Sequence, residues 1–171
     1  MHRLGSREAI LERFATQGIT AVELDIFTAR LPFADASFDM VMLLAVIEHL
    51  PGSPQHVLEE ARRVLKPGGI LVLEVPNIAA LRNRLKLLLG CSIHFSIDEW
   101  YHAHPFCGHY REMTRHELRW LVDVLEMDLL WLRTSDTAFH NTKHAVGRSE
   151  CRYERRYRFT SLFQVAKAVY L

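Results

Sequence analysis

Phe38-Asp39-Met40-Val41-Met42-Leu43-Leu44, then the segment from Ser53-Pro54 to Leu65, then Ile70-Leu71-Val72-Leu73-Glu74-Val75 decide the fold class. The two flanking runs are nearly continuous in apolar residues, the mark of strands buried on both faces of a parallel sheet. Between them, Ser53 offers a capping hydroxyl and Pro54 suits the first position of a helix. Val57, Leu58, Ala61, Val64 and Leu65 recur at helical spacing and make one apolar stripe. Arg62, Arg63 and Lys66 favour the negative end of the helix dipole, and Pro67-Gly68-Gly69 is predicted to end the helix. Strand, helix and strand in this order predict an α/β fold with a mainly parallel sheet and flanking helices.

The same reading extends outward. Ser6 is predicted to cap a first helix carrying Ile10, Leu11, Phe14 and Ala15, with Gly18 as its stop. Ile19 to Asp25 reads as a strand, and Leu31 to Ser37 as a turn-rich connection. Asn77 is predicted to cap a helix through Leu89, with Gly90 behind it. On that helix Arg82, Arg84 and Lys86 face away from Leu81, Leu85 and Leu88, a solvated basic face. Residues 91–111 are rich in histidine and aromatics and read as an irregular, cap-like insertion. Thr114 and Glu117 have the spacing of a capping box for a helix with Leu118, Leu121, Val122 and Leu125 on one face. Leu129 to Arg133 is a short strand, 135–156 a polar loop, and Val165 to Leu171 either a last strand or a helix end. In open α/β sheets ligands bind beyond the carboxyl ends of the strands. That rule gathers Asp25, Leu44 to His49, and Pro76-Asn77 around one crevice.

A chain of 171 residues with 49% apolar and 24% charged residues suits one globular domain. A net charge of +1 gives no global field for nucleic acid or an anionic membrane, so no nucleic-acid partner is expected. Cys91, Cys107 and Cys151 form no CxxC pair and no disulfide ladder, which points to a reducing, cytoplasmic setting. No apolar run approaches the roughly 20 residues of a membrane span.

Several motifs occur in one order: Asp25; Leu31-Pro32-Phe33; Ser37-Phe38-Asp39-Met40-Val41; Ile47-Glu48-His49-Leu50; Arg63-Val64-Leu65-Lys66-Pro67-Gly68-Gly69; and Val75-Pro76-Asn77. Gly108-His109-Tyr110-Arg111, Thr114 and Glu117-Leu118 follow. Over roughly residues 6 to 133 this ordered set resembles the small-molecule class I S-adenosylmethionine-dependent methyltransferases. The resemblance implies a Rossmann-like fold, S-adenosylmethionine as cofactor and a small-molecule acceptor. It also implies an opening strand, a glycine-rich turn, a helix and a second strand ending in an acid that holds the cofactor ribose. Those motifs are not found in the sequence, and Gly68-Gly69 follows a helix and is no substitute. On this reading the chain is a single partial domain, truncated at its N-terminus by about one βαβ unit. Three origins stay open: a start placed too far downstream, a non-catalytic remnant serving as a binding or interaction module, or a piece completed by another chain. Losing two hydrogen bonds to the ribose costs about 3–6 kcal/mol, so weak cofactor binding is expected. An unpaired sheet edge left by the missing strand would invite self-association or a partner chain.

Methyl transfer from a sulfonium is a displacement in which the cofactor supplies the reactivity. The protein aligns donor and acceptor, and in some cases removes a proton. By resemblance Asp25 accepts from the adenine amino group, Ile26 packs on the ring, and Leu44 and Ala45 line the cofactor. Glu48 positions the acceptor, and His49 and His109 are the candidate bases. Trp100, Tyr101, Phe106, Tyr110 and Arg111 are expected around the acceptor, under the 91–111 cap. Some quinone-pathway relatives carry Glu-x-x-Glu-His as a metal site. Here Ala45 holds the first of those positions, and the spacing of His102, His104, Cys107 and His109 matches no standard zinc site; no metal is expected.

Overall fold

A computed structural model describes residues 7–94, 96–103, 108–137 and 161–170. The chain divides into two compact units, one of Met1–Asp25 with Phe139–Phe159, the other of Ile26–Ala138 with Thr160–Leu171. In the first, α1 spans Arg7–Thr16; its expected cap, Ser6, lies outside the described residues. Gly18 closes the helix as expected: it sits at φ +70° and its N–H donates to the Ala15 carbonyl at 3.0 Å. Residues 19–25, expected as a strand, form none. Their side chains have β character, but a strand exists only by exchanging backbone hydrogen bonds with a neighbour, and no described strand pairs with them.

The second unit is built on a four-stranded sheet in the order β1-β2-β4-β3. β1 (Phe38–Leu44) lies parallel to β2 (Leu65–Pro76). β4 (Ser161–Tyr170) runs antiparallel to both β2 and β3 (Met127–Thr137). Three strands therefore run one way and β4 runs against them, a mixed but mainly co-directional Rossmann-like α/β sheet. The tail left open by its sequence is thus a strand, and β3 is longer than expected. It takes in Ser135 to Thr137; the rest of the expected 135–156 loop lies outside the described residues.

Helix α2 (Gln55–Val64) crosses from β1 to β2. Val57, Leu58, Ala61 and Val64 are buried from α2, Leu71, Leu73 and Val75 from β2, and Leu118, Val122 and Leu125 from the α5 region; all but Val64 join one core cluster. α2 ends three residues before Pro67. Leu65 is already extended and pairs with Phe38, while Ala36 and Ser37 donate to the Arg63 and Val64 carbonyls at 2.9 and 2.8 Å. Backbone donors from a neighbouring segment stop this helix, and Pro67-Gly68-Gly69 lie inside β2. β1 is buried on one face only: Val41 and Leu43 pack on the core, but Met40, Met42 and Leu44 are exposed. The expectation of burial on both faces is corrected: alternation along the strand puts Met40, Met42 and Leu44 on the face opposite Val41 and Leu43, and that face is exposed.

Asn77 does not cap a helix. Its Oδ1 accepts from the Ala79 N–H at 3.0 Å in a tight turn, and it bridges to Met113. α3 begins later and spans Leu81–Leu88, with Gly90 at φ +71° behind it. The expected apolar face of α3 is open: Leu81, Leu85 and Leu88 are exposed, and the helix buries Asn83, whose amide donates to the Ile78 carbonyl. Within 91–111 a short helix, α4 (Ile97–His102), interrupts otherwise irregular described residues. α5 (Arg115–Val124) carries the expected capping box: Thr114 Oγ1 accepts from the Glu117 N–H, and Glu117 Oε2 accepts from the Thr114 N–H. No described helix is long and apolar enough to cross a membrane.

Candidate active site

The carboxyl ends of β1 and β2 are laced to a segment far along the chain. The Tyr110 N–H donates to the Glu48 carbonyl at 2.7 Å, Met113 N–H to the Pro76 carbonyl at 3.2 Å, and Ile78 N–H to the Met113 carbonyl at 3.2 Å. These bonds carry residues 108–113 along the sheet end and bring His109 beside the turn that follows β1. Ala45 makes that turn in the left-handed region at φ 53°, uncommon for a residue with a Cβ, and its N–H donates to the Glu74 carbonyl. A short 3-10 turn, Ile47–His49, follows.

Three side chains meet here. The rings of His49 and His109 lie edge to face with centroids 4.8 Å apart. With Glu48 they offer three ligand or proton-transfer atoms all within 4.8 Å of one another. Glu48 is 0% exposed, and neither carboxylate oxygen has a hydrogen-bond partner. Burial holds its pKa above the usual carboxylate range; its own backbone N–H and His109 pull the other way, and Glu112 and Glu74 add to the rise. That backbone N–H falls short of hydrogen-bond geometry. His49 Nδ1 lies 3.2 Å from the Gly108 carbonyl, which only accepts, so Nδ1 carries the proton and the neutral ring's lone pair is on Nε2. His109 Nδ1 lies 2.9 Å from Glu112 Oε1, with the same consequence. Desolvation, and after it the nearness of His109, lowers the His49 pKa.

The other candidates are scattered. Leu44 and Ala45 stand exposed at the end of β1. Ile26 packs against the core cluster, and exposed Asp25 belongs to the other unit. Tyr110 gives the site its backbone N–H, while its side chain is exposed. The Arg111 guanidinium turns to Glu117 Oε1 at 2.8 Å. Trp100 and Tyr101 are exposed on α4; His104, Phe106 and Cys107 lie outside the described residues. Glu112 was not foreseen, although His109-x-x-Glu112 is a spacing at which a carboxylate can reach a ring nitrogen.

A different arrangement occupies the amino end of β2. Glu60 Oε1 accepts from Arg63 Nε, and Glu60 Oε2 accepts from an Arg63 terminal nitrogen and from the Leu31 N–H, all at 2.7 Å. Arg63 also reaches Asp35 at 2.6 Å and the Phe33 and Leu31 carbonyls. These contacts hold the Glu60 pKa down to about 2. A cleft between α2 and α5, lined in part by Leu58, Arg62, Leu121 and Tyr170, opens at this end, away from the histidine pair.

Residues 5–73 match the family described as the methyltransferase domain. The match spans 69 of the 171 residues, and over it the chain is similar to S-adenosylmethionine-dependent methyltransferases. Its segment shared with 27-O-demethylrifamycin SV methyltransferase of Amycolatopsis mediterranei is 51% identical over 55 residues, covering 30% of this chain and 20% of that protein. The chain spans about a fifth of the length of the first curated relatives it matches. An S-adenosylmethionine-dependent methyltransferase of Thermotoga maritima superposes with a TM-score of 0.58 at 18% identity, covering 96% of this chain and 70% of the other. The 1,6-didemethyltoxoflavin-N1-methyltransferase of Burkholderia thailandensis, solved with bound 1,6-didemethyltoxoflavin and S-adenosylhomocysteine, gives 0.56 at 13% identity, covering 99% of this chain and 58% of the other. At those identities the likeness is one of fold.

Proposed function

We propose that this chain takes part in methyl transfer from S-adenosylmethionine to a small-molecule acceptor, with the reaction at the carboxyl ends of β1 and β2. The observation that carries the reading is the Glu48, His49 and His109 group at the sheet end where such folds bind ligands. Bound cofactor supplies an electrophilic methyl group. The exposed crest at Leu44 and Ala45 fits packing against it, whereas Ile26 is committed to the core.

The remaining chemistry belongs to the acceptor. With its Nδ1 proton directed at Glu112, the His109 ring presents a basic Nε2, and Glu112 stabilises the imidazolium formed when Nε2 takes the acceptor's proton. His49, held by the Gly108 carbonyl and kept neutral by its lowered pKa, orients the acceptor beside it. Buried Glu48 offers a polar oxygen with no internal claim on it.

The test is transfer of labelled methyl from S-adenosylmethionine, supplied in excess, to a panel of small nucleophiles. Label should appear in a small molecule, and His109→Ala should cut turnover by about 10²–10⁴-fold, the usual worth of a general base, with cofactor affinity unchanged. Label found only in protein or nucleic acid would overturn the acceptor class. Equal loss of turnover and cofactor affinity in His109→Ala would make the histidine structural.

A further inference from the structure

A carboxylate that is 0% exposed, with both oxygens lacking a partner, is costly unless something outside the polypeptide completes it. Beside it stand two histidines whose Nδ1 atoms are tied to a backbone carbonyl and to a carboxylate, directing a lone pair to Nε2 in each neutral ring. Outer partners of this kind, a carbonyl or a carboxylate on the far ring nitrogen, are what metal-binding histidines have. Three donors within 4.8 Å of one another come from Glu48, His49 and His109. We propose that these three residues bind a divalent transition-metal cation of the Zn²⁺ type.

The donor set decides the class of ion. Two imidazole nitrogens and one carboxylate oxygen suit Zn²⁺, Co²⁺ or Ni²⁺, whereas Mg²⁺ and Ca²⁺ take oxygen donors. A tetrahedral ion with ligands at about 2.0–2.2 Å holds them roughly 3.4 Å apart. The widest separation in the group has to close by up to about 1.4 Å, a movement within the reach of side-chain adjustment. Three protein ligands leave one position for water or for an oxygen of a bound small molecule, the pattern of a catalytic and not of a structural zinc site. Spacing alone pointed away from metal because Ala45 holds a position where some relatives have a carboxylate. The third ligand comes from a segment some sixty residues downstream, carried in by the Tyr110 and Met113 backbone bonds.

The cation site does not depend on the methyl-transfer reading. It alters one detail of it: His109 Nε2 would hold the ion instead of acting as the base, and the ion would supply Lewis acidity to an acceptor oxygen, whose proton would pass to solvent water.

Chelator-stripped protein should be titrated with Zn²⁺ and, separately, with Mg²⁺ by calorimetry, and with Co²⁺ by visible absorption. One equivalent of Zn²⁺ should bind, Mg²⁺ should not compete, and Co²⁺ should give the intense visible bands of a tetrahedral site. Glu48→Gln, His49→Ala and His109→Ala should each weaken Zn²⁺ binding by more than about 100-fold, and Glu112→Gln by about 10–100-fold as an outer partner. His102→Ala and Cys107→Ser should change nothing, and circular dichroism should show every variant folded. No uptake of Zn²⁺, uptake undiminished in Glu48→Gln and His49→Ala, or uptake lost in the two control variants would each overturn the proposal. A variant that fails to fold is replaced by Glu112→Gln, whose side chain lies outside the ligand set. Methyl-transfer activity enters none of these readouts, so failure of the cation site and failure of the methyltransferase reading remain distinguishable.

Discussion

Two glutamates twelve residues apart are both buried, Glu48 at 0% and Glu60 at 8% exposure, and their surroundings are opposite. Glu60, near the amino end of β2, has both oxygens occupied by Arg63 and the Leu31 N–H, and its pKa falls to about 2. Glu48, past the carboxyl end of β1, has neither oxygen occupied, and its pKa rises. The first arrangement is how a protein uses a buried charge to hold itself together: paired, hydrogen-bonded and tied to a loop. The second adds nothing to the fold by itself. Buried polar groups that the fold leaves unsatisfied, beside other titratable groups, mark places where a protein does chemistry on something else.

The largest effect on the Glu60 side should come from its partner. Arg63→Met removes the guanidinium that satisfies Glu60, Asp35 and two carbonyls, and should destabilise the protein more than any other substitution in this region, read from urea denaturation. A loss as small as that of an average surface change would mean that the network is a solvated ion pair. Glu60→Met should cost somewhat less, about 2 kcal/mol, because Arg63 keeps Asp35. Its pH dependence fixes the cause. The folded pKa lies below the unfolded value, so the stabilisation is present above pH 4.5 and is lost as pH falls towards about 2. The gap between wild type and Glu60→Met should therefore be constant from neutral pH down to about 4.5 and shrink below it. A gap that persists undiminished at the acid end would assign the effect to packing.

Thr114→Ala tests how the second region is held. The capping box starts α5 immediately after the segment that carries His109, so losing it should cost about 1 kcal/mol and loosen the His49–His109 pair. The titration of His49, followed by NMR, should move up towards its ordinary value. Unmoved titration with lowered stability would show that the backbone bonds to Glu48 and Pro76 position His109 without help from the cap.

The two regions also differ in what their sequence discloses. The β1–α2–β2 unit and α5 are legible because each element is specified by its own residues: apolar runs, the α2 stripe, and the Thr114–Glu117 box. Elements that depend on a distant neighbour are not. Residues 19–25 have the composition of a strand and pair with no described strand. α2 stops before its proline and glycines because Ala36 and Ser37 reach its last carbonyls. Asn77 is drawn into a bridge with Met113 and away from α3. At the site, His49 and His109 stand out as residue types, and the family resemblance adds Glu48. Their meeting, and the part of Glu112, depends on how residues 108–113 lie across the sheet end, which no local pattern encodes. Arg111 illustrates the converse: a residue picked out by its motif turns to the helix cap.

The contrast between the two glutamates is tested most directly by making the same substitution at each and measuring stability in metal-free protein at neutral pH. Methionine keeps the length of glutamate and removes its oxygens. Glu60→Met should destabilise, whereas Glu48→Met should raise stability by about 1 kcal/mol, since it removes a buried group that has no partner. A Glu48→Met protein as destabilised as Glu60→Met would contradict the account, because Glu48 would then be a structural residue and the site at the end of β1 would lose the group on which it is built.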